Sequence, residues 1–177
     1  NTTHCQGGVM KPRFRHLAFG TTGLTFGLIL LGVYTGAMGA GLACAGRWPL
    51  CDGAVFGLFP ANWPSFVEWF HRLVAMVTGF LILGTAYAAW KYDHERRIQV
   101  ASVVAVVVLP VQVLLGANTI FNFGLTAQML HHGAAQTIFG ALVAATAWAF
   151  DEPRPGEGAE SADADADATG AAAKADD

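Results

Sequence analysis

Residues 17–41, 66–90, 99–121 and 126–150 are four predominantly apolar stretches. Each is long enough to cross the hydrocarbon core of a bilayer, which takes about 20 residues as a helix. In that solvent every backbone polar group must be satisfied internally, so a spanning segment is a helix or part of a closed barrel. Runs of this length without period-2 alternation leave the helix. The expected fold class is therefore all-α: an integral membrane four-helix bundle.

Charge supports this reading. Only 13% of the 177 residues are charged, about half the fraction of a soluble domain. Residues 1–150 carry Lys11, Arg13, Arg15, Arg47, Arg72, Lys91, Arg96 and Arg97 against Asp52, Glu68, Asp93 and Glu95. The basic residues fall in short blocks between apolar runs, which excludes a nucleic-acid surface. Three precede the first run and three separate the second from the third. The connection 42–65 has one arginine, and 122–125 has no charge. The positive-inside rule then places both termini in the cytoplasm and the loops 42–65 and 122–125 outside. The expected location is the cell membrane, crossed several times.

Residues 1–16 read as a cytoplasmic N-terminal segment. Within it, Met10-Lys-Pro-Arg-Phe-Arg looks like a natural start, and residues 1–9, with His4 and Cys5, are expected to be an upstream extension from a mis-called start. Residues 151–177 hold nine acids against Arg154 and Lys174 among Ala and Gly. Such a tail buries no core and is expected to be disordered and cytoplasmic.

The runs form two pairs. Leu30-Leu31-Gly32 in the first resembles Leu114-Leu115-Gly116 in the third. Glu68-Trp69-Phe70-His71 opens the second, and Gln128-Met129-Leu130-His131 opens the fourth. The reading is two pseudo-symmetric helix pairs about an axis along the membrane normal. It sets His71 and His131 at matching depth, roughly 8 Å below the outer helix ends at 1.5 Å per residue. Ionisable groups inside a membrane are costly and usually functional. Facing imidazoles on a bundle's helices can hold haem iron from both sides. The alternative is a histidine hydrogen-bonded to a neighbouring helix. His132 points about 100° from His131 and cannot share its iron. His16 and His94 fall in basic segments and are expected to be solvated or near headgroups.

Cys44 and Cys51 fall in the outer loop, where disulfides persist. They read as a loop staple or as a reducible pair that relays electrons or holds substrate. Two thiols without a histidine at ligand spacing do not make a zinc site. Glu68 is the one acid within a helical run, three residues before His71 and so on nearly its face. Ser65-x-x-Glu68 after Pro64 is also a capping box. Glu68 thus either caps the second helix or points inward to exchange protons. Arg72 can pair with Glu68 at i+4 or bind a haem propionate, and Arg47 is a second propionate candidate. Gln112, Asn118 and Thr119 read as interhelical hydrogen bonders or as contacts to a polar substrate group.

Taken in order, Thr35-Gly-Ala-Met-Gly-Ala-Gly-Leu-Ala-Cys44, Trp48-Pro-Leu-Cys-Asp-Gly53, Glu68-Trp-Phe-His-Arg72, Gln112-Val-Leu-Leu-Gly116 and His131-His-Gly-Ala-Ala135 resemble haem A synthase over residues 14–150. The resemblance implies oxidation of a methyl group of haem O to the formyl group of haem A, with water as oxygen source, for terminal oxidase assembly. It implies that His71 and His131 are the iron ligands and Glu68 the catalytic acid. It further implies that Cys44 and Cys51 support activity or haem handling, with haem as the bound group: haem O as substrate, haem B, or both. The usual member has eight helices in two halves, each with a haem. This chain resembles the half-length archaeal form, and its tail after the fourth run argues against truncation. A homodimer or a second four-helix subunit is the expected source of a second site. A haem O-producing farnesyltransferase and the oxidase assembly are the other expected partners. The competing functions are a di-histidine cytochrome carrying electrons, a membrane thiol oxidoreductase and a haem carrier.

Overall fold

The computed structural model describes residues 7–44, 46–48, 51, 60 and 62–152, with side chains from Phe14 onward. The acidic tail beyond Glu152, the first six residues and most of the long loop lie outside them. Among the described residues the fold is entirely helical: α1 (Gly7–Ala37), α2 (Trp63–Lys91), α3 (Arg96–Phe121) and α4 (Leu125–Asp151), with one 3-10 turn at Ala40–Leu42. All four helices contain a span long and apolar enough to cross a membrane.

α1 stops four residues short of the expected 41. Gly39 takes φ 64°, a left-handed conformation that ends the helix and starts the 3-10 turn. α2 starts three residues before the expected 66, with Asn62 as N-cap: its side chain accepts a hydrogen bond from Ser65 N at 2.9 Å, and Pro64 sits in the first turn. The Ser65–Glu68 capping box therefore does not form. The Ser65 hydroxyl instead donates to the Ala43 carbonyl at 2.9 Å, tying α2 to the loop.

The helices pack as a closed square, each against its chain neighbours and α4 against α1. The two ends of the square are built differently. At the end bearing the α2–α3 connection, Phe14, Ala18, Ala88, Ala89, Ile98, Ala101, Ala145 and Ala149 form one core. Nearer the middle, Ile82, Ala105, Ile138 and Leu142 form another. Alanine dominates because small residues let membrane helices approach closely. Threonines supply polar ties between them. Thr21 and Thr85 hydroxyls meet at 3.0 Å, and Thr22 and Thr146 at 2.9 Å.

His94, expected in a solvated segment, is buried beneath this end. Its Nδ1 lies 2.7 Å from Glu152 Oε2, and Phe14 stacks on its ring at 4.0 Å. Glu152 Oε1 also accepts from the Glu95 amide at 3.0 Å. This clasp joins the α2–α3 turn to the end of α4. It corrects the expectation for His94, because the partner that buries it lies 58 residues away in sequence.

A candidate haem-binding site between paired histidines

Toward the long-loop end the square opens into a cavity of about 720 Å3, within the ~300–1,000 Å3 usual for small-molecule and cofactor sites. All four helices line it. Pro110 interrupts the hydrogen-bond ladder of α3 beside the first cavity-lining residues of that helix, Leu109 and Gln112.

His71 and His131 both line this cavity. Each ring lies against a glycine of the preceding helix. A Cβ at Gly32 would stand 3.1 Å from His71 Cε1, and one at Gly116 would stand 3.0 Å from His131 Cε1. The Leu-Leu-Gly repeat therefore has a use beyond helix packing: each glycine is the seat of one imidazole. The repeat extends further than the residues first aligned. Thr35 and Thr119 follow their glycines by three positions, line the cavity, and turn their hydroxyls back to the Leu31 and Gly116 carbonyls. Glu68 and Arg72 flank His71 as Gln128 and His132 flank His131, and all four reach the cavity. The two edges of the site thus share a scaffold and differ in charge.

The histidines have unspent bonding capacity. Nδ1 of each is buried without a hydrogen-bond partner. Gln112 Nε2 approaches His131 Nε2 at 3.4 Å. An unmet imidazole nitrogen in an apolar interior is costly, and the two rings that carry them line one cavity, so the pair fits a ligand that both imidazoles can bind. Among the described residues no three His, Cys, Asp or Glu side chains gather to hold a bare metal ion. The donor set is two imidazoles in a mostly apolar cavity, which suits haem iron.

Glu68 is buried beside this pair and does not cap α2. Arg72 Nε and Nη2 both reach Glu68 Oε1 at 2.9 Å, and Arg72 Nη1 donates to the Arg47 carbonyl at 2.8 Å. The i+4 pairing read from sequence is the one observed. It directs the Arg72 guanidinium to Glu68 and to the Arg47 carbonyl. Cys44 and Cys51 form a disulfide, with Cα atoms 4.5 Å apart. Cys51 lines the cavity, and its Sγ lies 3.5 Å from the Ser65 carbonyl oxygen. Arg47 sits between them in sequence, its amide donating to Cys44 O at 3.0 Å. Asn118 bonds Asn122 rather than another helix.

Comparison with known proteins yields a consistent set. Residues 64–174 match the COX15-CtaA family model, described as cytochrome oxidase assembly protein. The chain is 32% identical over 144 residues to a heme A synthase of Bacillus licheniformis, covering 80% of this chain and 47% of that protein. It is 33% identical over 129 residues to a heme A synthase of Alkalihalophilus pseudofirmus, covering 72% of this chain and 43% of that one. It is also 36% identical over 127 residues to a protoheme IX farnesyltransferase of Halobacterium salinarum, covering 71% of this chain and 28% of that protein. The chain thus spans about half or less of the length of these relatives.

Proposed function

The chain belongs to the haem A synthase family of cytochrome oxidase assembly proteins, and from this we propose that it oxidises the methyl group of haem O to the formyl group of haem A. The observation that carries the reading is the placement of a buried carboxylate, Glu68, on the cavity that His71 and His131 share. A protein that only carried electrons would need the two histidines and not the acid.

His71 and His131 would hold the iron through ring nitrogens, seated by Gly32 and Gly116. Bound haem O supplies the methyl group to be oxidised, water supplies the oxygen, and an acceptor outside the chain takes the electrons. Glu68 serves as the proton-handling group. Arg72 meets Oε1 with a hydrogen bond from Nε and an ion-pair contact from Nη2, so Oε2 is the oxygen left to accept a proton from the attacking water. The apolar walls keep bulk water away from that exchange. Trp48 and Cys51 line the same cavity, and Arg47, between the two cysteines, is a candidate propionate contact.

The basic residues at the clasped end support a cytoplasmic location for both termini, which sets the haem site toward the outer face. A second copy of the chain, or a second four-helix subunit, would supply the other haem site. The similarity to a segment of a farnesyltransferase supports a haem O-producing farnesyltransferase as the upstream partner. The test is co-expression with such an enzyme, followed by extraction and chromatography of the haems. Haem A, or its hydroxylated precursor, is expected. Unaltered haem O from a protein with a normal low-spin haem spectrum overturns the reading in favour of a di-histidine cytochrome.

A further inference from the structure

We propose that Arg72 is a positioning residue that aims the Glu68 carboxylate and takes its own position from the disulfide-bonded loop. The proposal rests on the reading of Glu68 as the proton-handling group.

The contacts form one chain from the disulfide to the acid. The Cys44–Cys51 bond closes a turn in which the Arg47 amide donates to Cys44 O. That turn presents the Arg47 carbonyl to Arg72 Nη1 at 2.8 Å. The remaining arms of the same guanidinium, Nε and Nη2, both close on Glu68 Oε1. Guanidinium is planar and rigid, so fixing one edge fixes the direction of the others. A lysine has no such fork and could not meet a backbone carbonyl and a carboxylate in one fixed plane. The loop end is pinned to α2 a second time, where Ser65 donates to Ala43 O. α2 alone would leave Glu68 and Arg72 as an ordinary i, i+4 pair with several rotamers. The third contact, to the loop, selects one of them and leaves Oε2 as the oxygen Arg72 does not engage.

The consequence is that the loop's covalent state reaches the acid through one side chain. A dithiol reductant converts the disulfide to two cysteine thiols and is itself oxidised to a cyclic disulfide. The turn then loses its closure, the Arg47 carbonyl leaves Arg72, and the Glu68 carboxylate loses its fixed orientation. Neither histidine is in this chain of contacts, so haem ligation stays.

The experiment uses the full chain in detergent, loaded with haem O, and reads two signals. One is the infrared carboxylate band of Glu68, identified by its absence in Glu68→Gln. The other is turnover with the farnesyltransferase present. In the unmutated protein, reduction is expected to shift the band. It should also slow turnover by about ten- to a hundredfold, the size of one lost charge-assisted hydrogen bond, with KM for haem O and the low-spin spectrum unchanged. Arg72→Gln should show the shifted band from the start and no further response to reductant. Arg72→Lys keeps the charge and loses the fork, and the same loss of response is expected from it should Arg72→Gln not fold. A band that reduction leaves in place, or one that responds equally with and without Arg72, overturns the proposal. If the band behaves as expected but no haem A forms, the positioning chain stands and the haem A synthase reading falls.

Discussion

Gly116→Ala tests the ring seats directly. The added methyl would lie 3.0 Å from His131 Cε1 and 3.5 Å from Nδ1, whereas ordinary contact begins near 3.4 Å. The imidazole must retreat by a few tenths of an ångström or rotate away. Forcing extra volume into a fitted contact costs about 1–3 kcal/mol. At about 1.4 kcal/mol per factor of ten, that is roughly a five- to 150-fold loss of haem affinity. The free protein should behave in the opposite sense. With no ligand to hold the ring in place it can turn aside, and glycine to alanine within a helix gains about 0.5–1 kcal/mol. Gly84→Ala and Gly140→Ala are the controls, since nothing lies within 4 Å of a Cβ at either position. Haem is titrated into each variant and followed by the low-spin absorbance band, with thermal unfolding of the haem-free protein measured alongside. Gly32→Ala should repeat the result, its Cβ standing 3.1 Å from His71 Cε1. Haem binding by Gly116→Ala as tight as by Gly84→Ala refutes the seat.

Glu68→Gln should keep the low-spin haem spectrum and abolish conversion, measured by chromatography of extracted haems; a variant that lost only thermal stability would point to a purely structural acid. His71→Ala or His131→Ala should remove the low-spin spectrum, and full occupancy in either would refute the ligand assignment. Thr21→Val and Thr85→Val should each destabilise the bundle by about 0.5–1 kcal/mol, with a double-mutant coupling of similar size, as measured interhelical hydrogen bonds in membranes behave; strict additivity in detergent unfolding would show that the 3.0 Å contact contributes nothing. Glu152→Gln weakens the acceptor that holds both His94 and the Glu95 amide, and a loss of about 1.5–3 kcal/mol is expected for bonds to a charged group; unchanged proteolysis at the α2–α3 turn would argue against the clasp.

Much of this arrangement was legible because membrane helices announce themselves by length and because the histidines recur in a repeat. Glu68 and Arg72 are four apart on one helix, so their pairing is local and readable. What was hidden involves groups with no sequence signature. The third contact of Arg72 is a backbone carbonyl, and any residue at position 47 would offer one. His94 looked solvated because its neighbours are charged, yet Glu152 buries it from the end of another helix. Glu152 itself read as the start of an acidic tail. The threonine pairs join residues 64 and 124 apart, a relation fixed only by how the helices are wound. Gly32 and Gly116 were visible as the matching ends of a repeat. The signal that they seat the rings was available, since each glycine lies five residues before the end of its helix and the histidine of the same repeat lies in the first turns of the next. The end of α1 was missed because Gly36, Gly39 and Gly41 look alike in sequence, and only Gly39 takes the left-handed conformation there.

The contrast between the two ends of the bundle has a mechanical consequence. The alanine core, the hydroxyl pairs and the His94–Glu152 clasp pin the four helices at one end, while the far end encloses empty volume. Such a body behaves like tweezers joined at the base. A large flat molecule can enter by spreading the tips alone, without disturbing the packing that defines the fold. The return force comes from the pinned end. The Cys44–Cys51 bond and the contacts from Ser65 and Arg72 limit how far the α1 and α2 tips can part. The α3 and α4 tips are joined by a tight connection of three residues. Of the two seams between the pairs, the one between α2 and α3 is also met by the 3-10 turn, which packs against both helices, so the parting is expected between α1 and α4.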